Sequence, residues 1–171
     1  NNSYIKHIKT KKKYACFKKN NLHIVSYSVP IKKILDKKDL VKKIYTIKSK
    51  PKAIPYVTSY YKKDWGFCME YDKFKRLPKG KYEVLIDSSL KKGNLVIGEN
   101  KIKGKFKKEF LFSTNICHPS MANNELSGIL MCTALGNYIE KYHPKPNFTY
   151  NFVFIPETIG SLTYIKKNYK N

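Results

Sequence analysis

Acidic residues are scarce in this sequence, and arginine is almost absent from it. The chain has 12 Asp and Glu against 35 Lys and Arg, a formal net charge of +23, and Arg76 is its single arginine. A surplus of this size, taken alone, indicates a polyanionic partner such as nucleic acid or an anionic membrane surface. Bidentate recognition of phosphate and guanine favours arginine, and the lysines are spread along the whole chain. We therefore interpret the charge as a solvated surface and expect no specific nucleic-acid partner.

Long apolar runs and paired cysteines are missing as well. No apolar run reaches 18 residues and no apolar signal core opens the chain, so the sequence predicts no membrane span. The four cysteines form no Cys-x-x-Cys pair and lie in or beside apolar runs: Cys16, Cys68, Cys117 and Cys132. Free thiols of this kind are typical of a reducing cytoplasm. Because the chain begins with Asn-Asn-Ser rather than Met, it is interpreted as part of a longer cytoplasmic protein.

The first hundred residues predict a β-rich domain. Short strands with turn residues between them favour an antiparallel sandwich or barrel-like fold. We expect a hairpin over residues 1–20, a strand over 22–29, a short helix over 36–47, one helical turn over 72–77 and a strand over 82–87. The aromatic segment 65–69 is interpreted as core packing, with a ligand platform as the alternative. The pattern changes after the lysine-rich stretch 101–108, which places the predicted domains at 1–103 and 104–171.

The second part of the sequence predicts a β-α-β unit over residues 110–156. Apolar runs at 110–114 and 148–155 flank a segment whose apolar residues recur at helical spacing from Leu126 to Tyr142. Asn123 or Asn124 is the expected helix N-cap. Gly128 lies in the first turn, where close approach to a strand requires the absence of a side chain. A short βα connection of this kind joins parallel strands, which makes the overall fold class α/β or α+β.

Polar side chains gather just past the carboxyl ends of the two predicted strands, which is where ligands bind in α/β sheets. The candidates after the first strand are Asn115, Cys117, His118, Asn123, Asn124 and Glu125, and Glu157 follows the second strand. A lone histidine in a loop is commonly a hydrogen-bonding residue, whereas metal binding needs several converging donors. We expect Glu157 at a buried strand end, where a carboxylate is costly unless it has a partner or a role.

Seven motifs together resemble one bacterial family, the aminopeptidase-like proteins encoded among surface-polysaccharide biosynthesis genes. They are residues 22–30, 54–61, 65–68, 82–89, Ile116-Cys-His-Pro-Ser120, Leu126-Ser-Gly128 and Pro156-Glu-Thr-Ile-Gly160. The family is similar to di-zinc exopeptidases of the leucyl-aminopeptidase type. The resemblance therefore implies a β-rich inserted domain followed by part of a three-layer α/β peptidase domain.

The resemblance also implies roles for four positions. Glu157 corresponds to the general base that activates a metal-bound water, and His118 matches a histidine of the family motif that is a ligand or lies beside one. Asn115 and Asn124 stand where the family has a His and an Asp that ligate zinc. An amide oxygen is a weak zinc ligand compared with imidazole or carboxylate. Zinc, the cofactor expected for the family, is therefore doubtful for this set of residues.

The sequence thus predicts a truncated, ligand-depleted relative of zinc aminopeptidases that is inactive alone. Its parental reaction is hydrolysis of a peptide or amide substrate, and the chain is expected to depend on a missing segment or a partner chain. One alternative is a non-catalytic module that binds a saccharide or a protein through its Tyr and Trp segment. A second alternative is a polyanion binder driven by lysine, for which binding falls steeply with salt.

Overall fold

The computed structural model of the chain describes residues 2–118 and 121–169. It contains helices and β-sheets and confirms the predicted mixed α/β class. The chain divides into two compact units, Asn1–Lys92 and Gly93–Asn171. This division precedes the predicted boundary between residues 103 and 104, because Gly98–Ile102 pairs with a strand of the second unit. In the described part of the chain, no helix is long and apolar enough to cross a membrane.

The first unit is built mainly from short strands. In chain order its elements are β1 (Tyr4–His7), β2 (Lys13–Cys16), β3 (Ile31–Asp36), α1 (Lys37–Leu40), β4 (Ile44–Tyr45), β5 (Phe67–Cys68), α2 (Tyr71–Lys75) and β6 (Lys81–Ile86). An antiparallel sheet has the order β2-β1-β6-β3, and β4 and β5 form a parallel pair. The predicted hairpin and the helical turn near residue 72 are present. The described residues of this unit form one four-stranded sheet and this pair, not the sandwich or barrel that we expected.

Every second side chain of β6 is buried in the core of this unit. Tyr82, Val84 and Ile86 are buried, while the residues between them are half-buried, as the period of two in a strand requires. Phe67 and Met69 are fully buried in the same cluster, which confirms core packing for most of the aromatic segment. Burial of each such side chain stabilises the fold by roughly 1.5–3 kcal/mol.

Two local predictions in the first unit are wrong. The stretch 22–29 is not a regular strand: the Asn20 side chain accepts a hydrogen bond from the Leu22 N–H and caps a 3₁₀ turn, Asn21–His23. Farther along, Tyr27 has a φ of 64°, which interrupts the extended conformation. The helix predicted over 36–47 is only the single turn α1 and a 3₁₀ turn, Val41–Lys43, because β3 and β4 take up both ends of that stretch.

The second unit contains the predicted β-α-β arrangement. Its elements are β7 (Gly98–Ile102), β8 (Glu109–Asn115), a π-helical turn (Ala122–Leu126), α3 (Ser127–Tyr142), β9 (Thr149–Ile155) and α4 (Ile159–Asn168). The sheet has the order β7-β9-β8, with β8 parallel and β7 antiparallel to β9. The central strand β9 buries residues on both faces, as expected for a strand covered on two sides.

One helix approaches each face of this sheet. A Cβ atom on Gly136 of α3 would lie 3.6 Å from the Phe152 ring, and Phe152 belongs to the core cluster on that face. The adjacent residue of β9, Asn151, points to the opposite face and lies 3.1 Å from the Tyr164 hydroxyl of α4. The second unit is therefore a helix-sheet-helix arrangement, in agreement with the predicted three layers.

Candidate functional site

The parallel pairing of β8 and β9 brings two polar turns together. Asn115 and Ile155 are register partners at the carboxyl ends of these strands. One residue farther, the Ile116 N–H donates to the Ile155 carbonyl at 3.0 Å. The turn that begins at Cys117 is thus fixed beside the turn that contains Glu157, at the edge of the sheet predicted to hold the site.

The helix after β8 begins in a different way from the prediction. Neither Asn123 nor Asn124 is the N-cap, because both lie inside the π-helical turn that starts after Met121. The N–H groups of Glu125 and Leu126 both approach the Met121 carbonyl, at 3.2 and 3.4 Å. Such one-turn π segments are frequent at functional sites. Here the turn directs Glu125 toward the β8 loop.

Gly128 makes this close packing possible. A Cβ atom at Gly128 would lie 2.1 Å from Thr114 Oγ1 and 3.1 Å from Thr114 Cβ. No side chain fits in that space, which agrees with the expectation from the sequence. The first turn of α3 therefore lies directly against the end of β8.

Glu125 is the buried centre of the site. Its side chain is only 6% exposed. One carboxylate oxygen accepts a hydrogen bond from the Cys117 N–H at 2.8 Å, and the other lies 2.9 Å from His118 Nδ1. The Cys117 sulfur lies 3.0 Å from the same ring nitrogen. A thiol, an imidazole and a carboxylate therefore converge at one point.

Glu157 completes this group from the neighbouring turn. Its Oε2 atom lies 3.6 Å from His118 Nδ1, and its N–H donates to the Cys117 sulfur at 3.3 Å. The expectation of a buried carboxylate is wrong, since 51% of the Glu157 side chain is exposed. The chain turns at Pro156 and Glu157 before α4 begins, so the side chain extends past the sheet edge and carries little desolvation cost.

The electrostatics of the group follow from this geometry. Burial opposes ionisation of Glu125, but the Cys117 N–H and the His118 ring keep the pKa of that carboxyl below its usual value. For Cys117, burial is the main cause of a raised thiol pKa, and the charges of Glu125 and Glu157 add to it. Without a bound cation, the thiol is therefore protonated at neutral pH.

Asn115 and Asn124 do not supply the imidazole and carboxylate ligands that a pair of zinc ions requires. Asn115 is half-buried at the end of β8, and Asn124 is exposed in the π-helical turn. Both side chains are neutral amides, so no carboxylate occupies the position that would bridge two metals. The donor set at these positions does not fit a di-zinc centre.

An open, mostly apolar cleft of about 290 Å³ adjoins the group. The lining residues are Ile116, Cys117, His118, Met121, Glu125, Leu126 and Ile129. His118 and Glu125 thus lie at the wall of a space that could receive a small group or the end of a chain.

Sequence reasoning placed His118 and Glu157 in one site, and the structure brings them together. The sequence pattern indicated no specific role for Cys117 or Glu125. A signal was available in the spacing, because Glu125 follows Cys117 by eight residues across a short βα connection. The unrecognised π-helical turn determines that this carboxylate points inward.

The aromatic segment named as an alternative ligand platform contains Trp65. That ring is half-buried and packs edge-to-face on Phe67, with centroids 6.4 Å apart. The exposed tyrosines among the described residues of the first unit are Tyr27, Tyr45, Tyr60 and Tyr61. The rings of Tyr27 and Tyr60 lie 4.6 Å apart.

Comparison with known proteins supports the predicted relationship. A family described as "Domain of unknown function (DUF2172)" matches residues 1–89. A Clostridium acetobutylicum protein with the provisional name polysaccharide biosynthesis protein with aminopeptidase-like domain is 45% identical over 152 residues. These residues are 89% of this chain and 35% of that relative. A crystal structure of a provisionally named peptidase from Clostridium acetobutylicum has a TM-score of 0.94 and 42% identity, covering 99% of this chain and 40% of that one. The chain thus spans well under half of either protein.

Proposed function

This chain belongs to the DUF2172 family and is of the aminopeptidase-like kind, and we propose that by itself it does not hydrolyse peptide or amide bonds. The observation that carries this proposal is the donor set after β8. Neutral amides stand at Asn115 and Asn124, and His118 is bound to the buried carboxylate of Glu125. The resemblance implies zinc-dependent hydrolysis as the parental reaction, and two of the ligands that it implies are replaced here.

The chemistry of amide hydrolysis explains why these replacements matter. The reaction needs a base at an activated water and a positive group or N–H donors at the carbonyl oxygen. Glu157 can act as a base, since its carboxylate is exposed beside the cleft. Both carboxylates approach Nδ1 of His118, so this nitrogen interacts with them and not with a substrate carbonyl. Polarisation of a substrate carbonyl is therefore weak.

An aminopeptidase assay tests the proposal. The purified chain is incubated with aminoacyl-4-nitroanilides, with and without added Zn²⁺, beside its Glu157→Gln variant and an exposed control, Glu140→Gln. We expect the three proteins to release nitroaniline at the rate of buffer alone. Turnover in the wild type and in Glu140→Gln that disappears in Glu157→Gln would overturn the proposal.

A second candidate function is saccharide binding by the first unit. Tyr61 is fully exposed, and Tyr27 and Tyr60 are 59% and 49% exposed. Tyrosine offers an apolar ring face together with a polar hydroxyl, which suits the mixed surface of a sugar. Tyr27 also has a positive φ, and strained backbone of this kind clusters at functional sites.

Titration of an oligosaccharide panel against the chain tests this function. Calorimetry should detect binding to the wild type, and Tyr61→Ala should weaken it without a change in circular dichroism. Trp65→Ala distinguishes a site at the tyrosines from a site at Trp65. If a folded Trp65→Ala variant lost sugar binding while Tyr61→Ala bound as tightly as the wild type, a site at the tyrosines would be contradicted.

A further inference from the structure

Four potential metal ligands converge at the edge of the sheet, and two of them come from residues to which the resemblance gives no role. Cys117, His118 and Glu157 each offer one ligand atom, and these atoms all lie within 4.8 Å of one another. The fourth, Glu125 Oε1, lies 2.9 Å from His118 Nδ1 and 3.5 Å from the Cys117 sulfur. The set contains a thiol, an imidazole and two carboxylates.

The distances are close to those in a tetrahedral coordination shell. Zinc binds sulfur at about 2.3 Å and nitrogen or oxygen at about 2.0–2.2 Å, so neighbouring ligand atoms in a tetrahedron are separated by roughly 3.3–3.6 Å. The thiol and the ring nitrogen are 3.0 Å apart, and the ring nitrogen is 3.6 Å from Glu157 Oε2. The observed separations of 2.9–3.6 Å lie within about 0.5 Å of the required ones, so the side chains must shift slightly to surround one ion.

Local charge also favours a cation. In the parts of the chain that the structure describes, the ion pairs of Glu125 and Glu157 are made with His118 and not with a lysine. In a chain with a net charge of +23, this is a local concentration of negative groups. The Cys117 N–H donates to Glu125 Oε2 and leaves Oε1 directed at the ring. The group is therefore pre-arranged, and no lysine among the described residues pairs with its carboxylates and competes with a metal.

A nucleophilic role for the thiol agrees less well with the geometry. In a thiol-imidazole-carboxylate relay, the thiol faces one ring nitrogen and the carboxylate faces the other. Here the Cys117 sulfur and Glu125 Oε1 both approach Nδ1 of His118. Donor atoms that cluster on one side of the ring in this way are typical of ligands around a metal ion and not of a proton relay.

We propose that Cys117, His118 and Glu157 bind a single divalent transition-metal ion of the zinc or cobalt class, with Glu125 within reach as a fourth ligand. Thiolate and imidazole select zinc and cobalt over magnesium and calcium. The ion replaces the proton of the Cys117 thiol, which leaves to solvent. Asn115 and Asn124 take no part, so this site differs from a di-zinc centre. With the ion bound, Glu157 is a ligand and is not free to act as a base, so the site is consistent with the proposed lack of hydrolysis.

Cobalt spectroscopy of the whole chain tests the site directly. A cobalt-thiolate bond gives a charge-transfer band in the near ultraviolet that carboxylate and imidazole ligands do not give. We expect the band to saturate at one Co²⁺ per chain, to disappear when Zn²⁺ is added, and to persist in excess Mg²⁺. The variants are Cys117→Ser, His118→Asn and Glu157→Gln. Each has a matched control elsewhere in the second unit: Cys132→Ser, His143→Asn and Glu140→Gln.

The expected Co²⁺ binding of these variants distinguishes metal ligands from residues that take no part in binding. Cys117→Ser should lose the band, and His118→Asn and Glu157→Gln should weaken Co²⁺ binding by at least about tenfold, while the controls match the wild type. Because Glu157 is exposed, Glu157→Gln is expected to fold and keeps the test valid if another variant does not. No band in the wild type, a band that survives Cys117→Ser, or unchanged affinity in folded Glu157→Gln would overturn the proposal.

Discussion

Replacement of Gly128 by alanine tests the packing that forms the site. The added Cβ would lie 2.1 Å from Thr114 Oγ1 and 3.1 Å from Thr114 Cβ, and Thr114 is buried. Rotation of the threonine relieves the first contact but not the second, so the first turn of α3 must move away from β8. Overpacking of this kind costs about 1–3 kcal/mol. Alanine regains about 1 kcal/mol over glycine in a helix. We expect a net destabilisation of up to about 2 kcal/mol.

Gly136→Ala is the matched control on the same helix. There the added Cβ would meet its nearest atom, on the Phe152 ring, at 3.6 Å, which is an ordinary contact. The helix-propensity gain of about 1 kcal/mol is then available without a clash, so this variant should be as stable as the wild type or more stable. Because both substitutions gain the same helix propensity, their free energies of unfolding should differ by roughly 1–3 kcal/mol, which is the cost of overpacking at Gly128.

Hydrogen exchange at the β9 amides is the suitable assay, because the single tryptophan lies in the first unit and does not report on α3. Protection of Phe152 and Val153 should fall in Gly128→Ala and be kept in Gly136→Ala. A Thr114→Ala background removes the nearer contact and should reduce the cost of Gly128→Ala. If Gly128→Ala were as stable as Gly136→Ala, the close approach of helix and strand would be refuted.

Two further predictions concern buried polar groups and pH. Asn151 is 1% exposed, and its amide donates to Glu99 and Glu109 at 2.8 and 2.9 Å. Asn151→Asp would place a buried carboxylate beside these two carboxylates, so it should lower the free energy of unfolding in urea by about 3–5 kcal/mol. A loss no larger than that caused by Asn100→Asp at an exposed position would contradict this. Lys6, and after it Tyr4, keeps the pKa of the Glu83 carboxyl below its usual 4.5. The interactions of the Glu83 carboxylate therefore stabilise the fold fully above pH 4.5, the pKa of the unfolded state. This stabilisation is lost as the pH falls through the lower pKa of the folded state. Glu83→Gln should therefore flatten the acid side of the stability curve measured by Trp65 fluorescence, and an unchanged acid slope would contradict it.

Sequence periodicity predicted the elements that strong patterns define. The alternation along Lys81–Ile86 and the β-α-β pattern after residue 109 are present, because burial on one or two faces of a strand leaves a direct record in the residues. Gly128 was also interpreted correctly, since few other roles explain a glycine in a first helical turn. These predictions depend on the contacts of each element and not on its exact ends.

Other features depend on interactions that no local pattern records. The side-chain bond of Asn20 converts an apparent strand into a 3₁₀ turn, and the π-helical turn at Ala122–Leu126 displaces the expected N-cap. The inward direction of Glu125 follows from that turn. Its bonds to Cys117 and His118 therefore could not be predicted from residue types alone, although the location of the site could.

The central claim is that the site after β8 and β9 is aminopeptidase-like in position but not competent for hydrolysis in this chain. The most direct test is the rate of aminoacyl-4-nitroanilide cleavage by the wild type with saturating Zn²⁺, measured against Glu157→Gln. Our account predicts equal rates, both indistinguishable from buffer, since Asn115 and Asn124 supply no charged ligand. A wild-type rate that exceeds the Glu157→Gln rate reproducibly would contradict it.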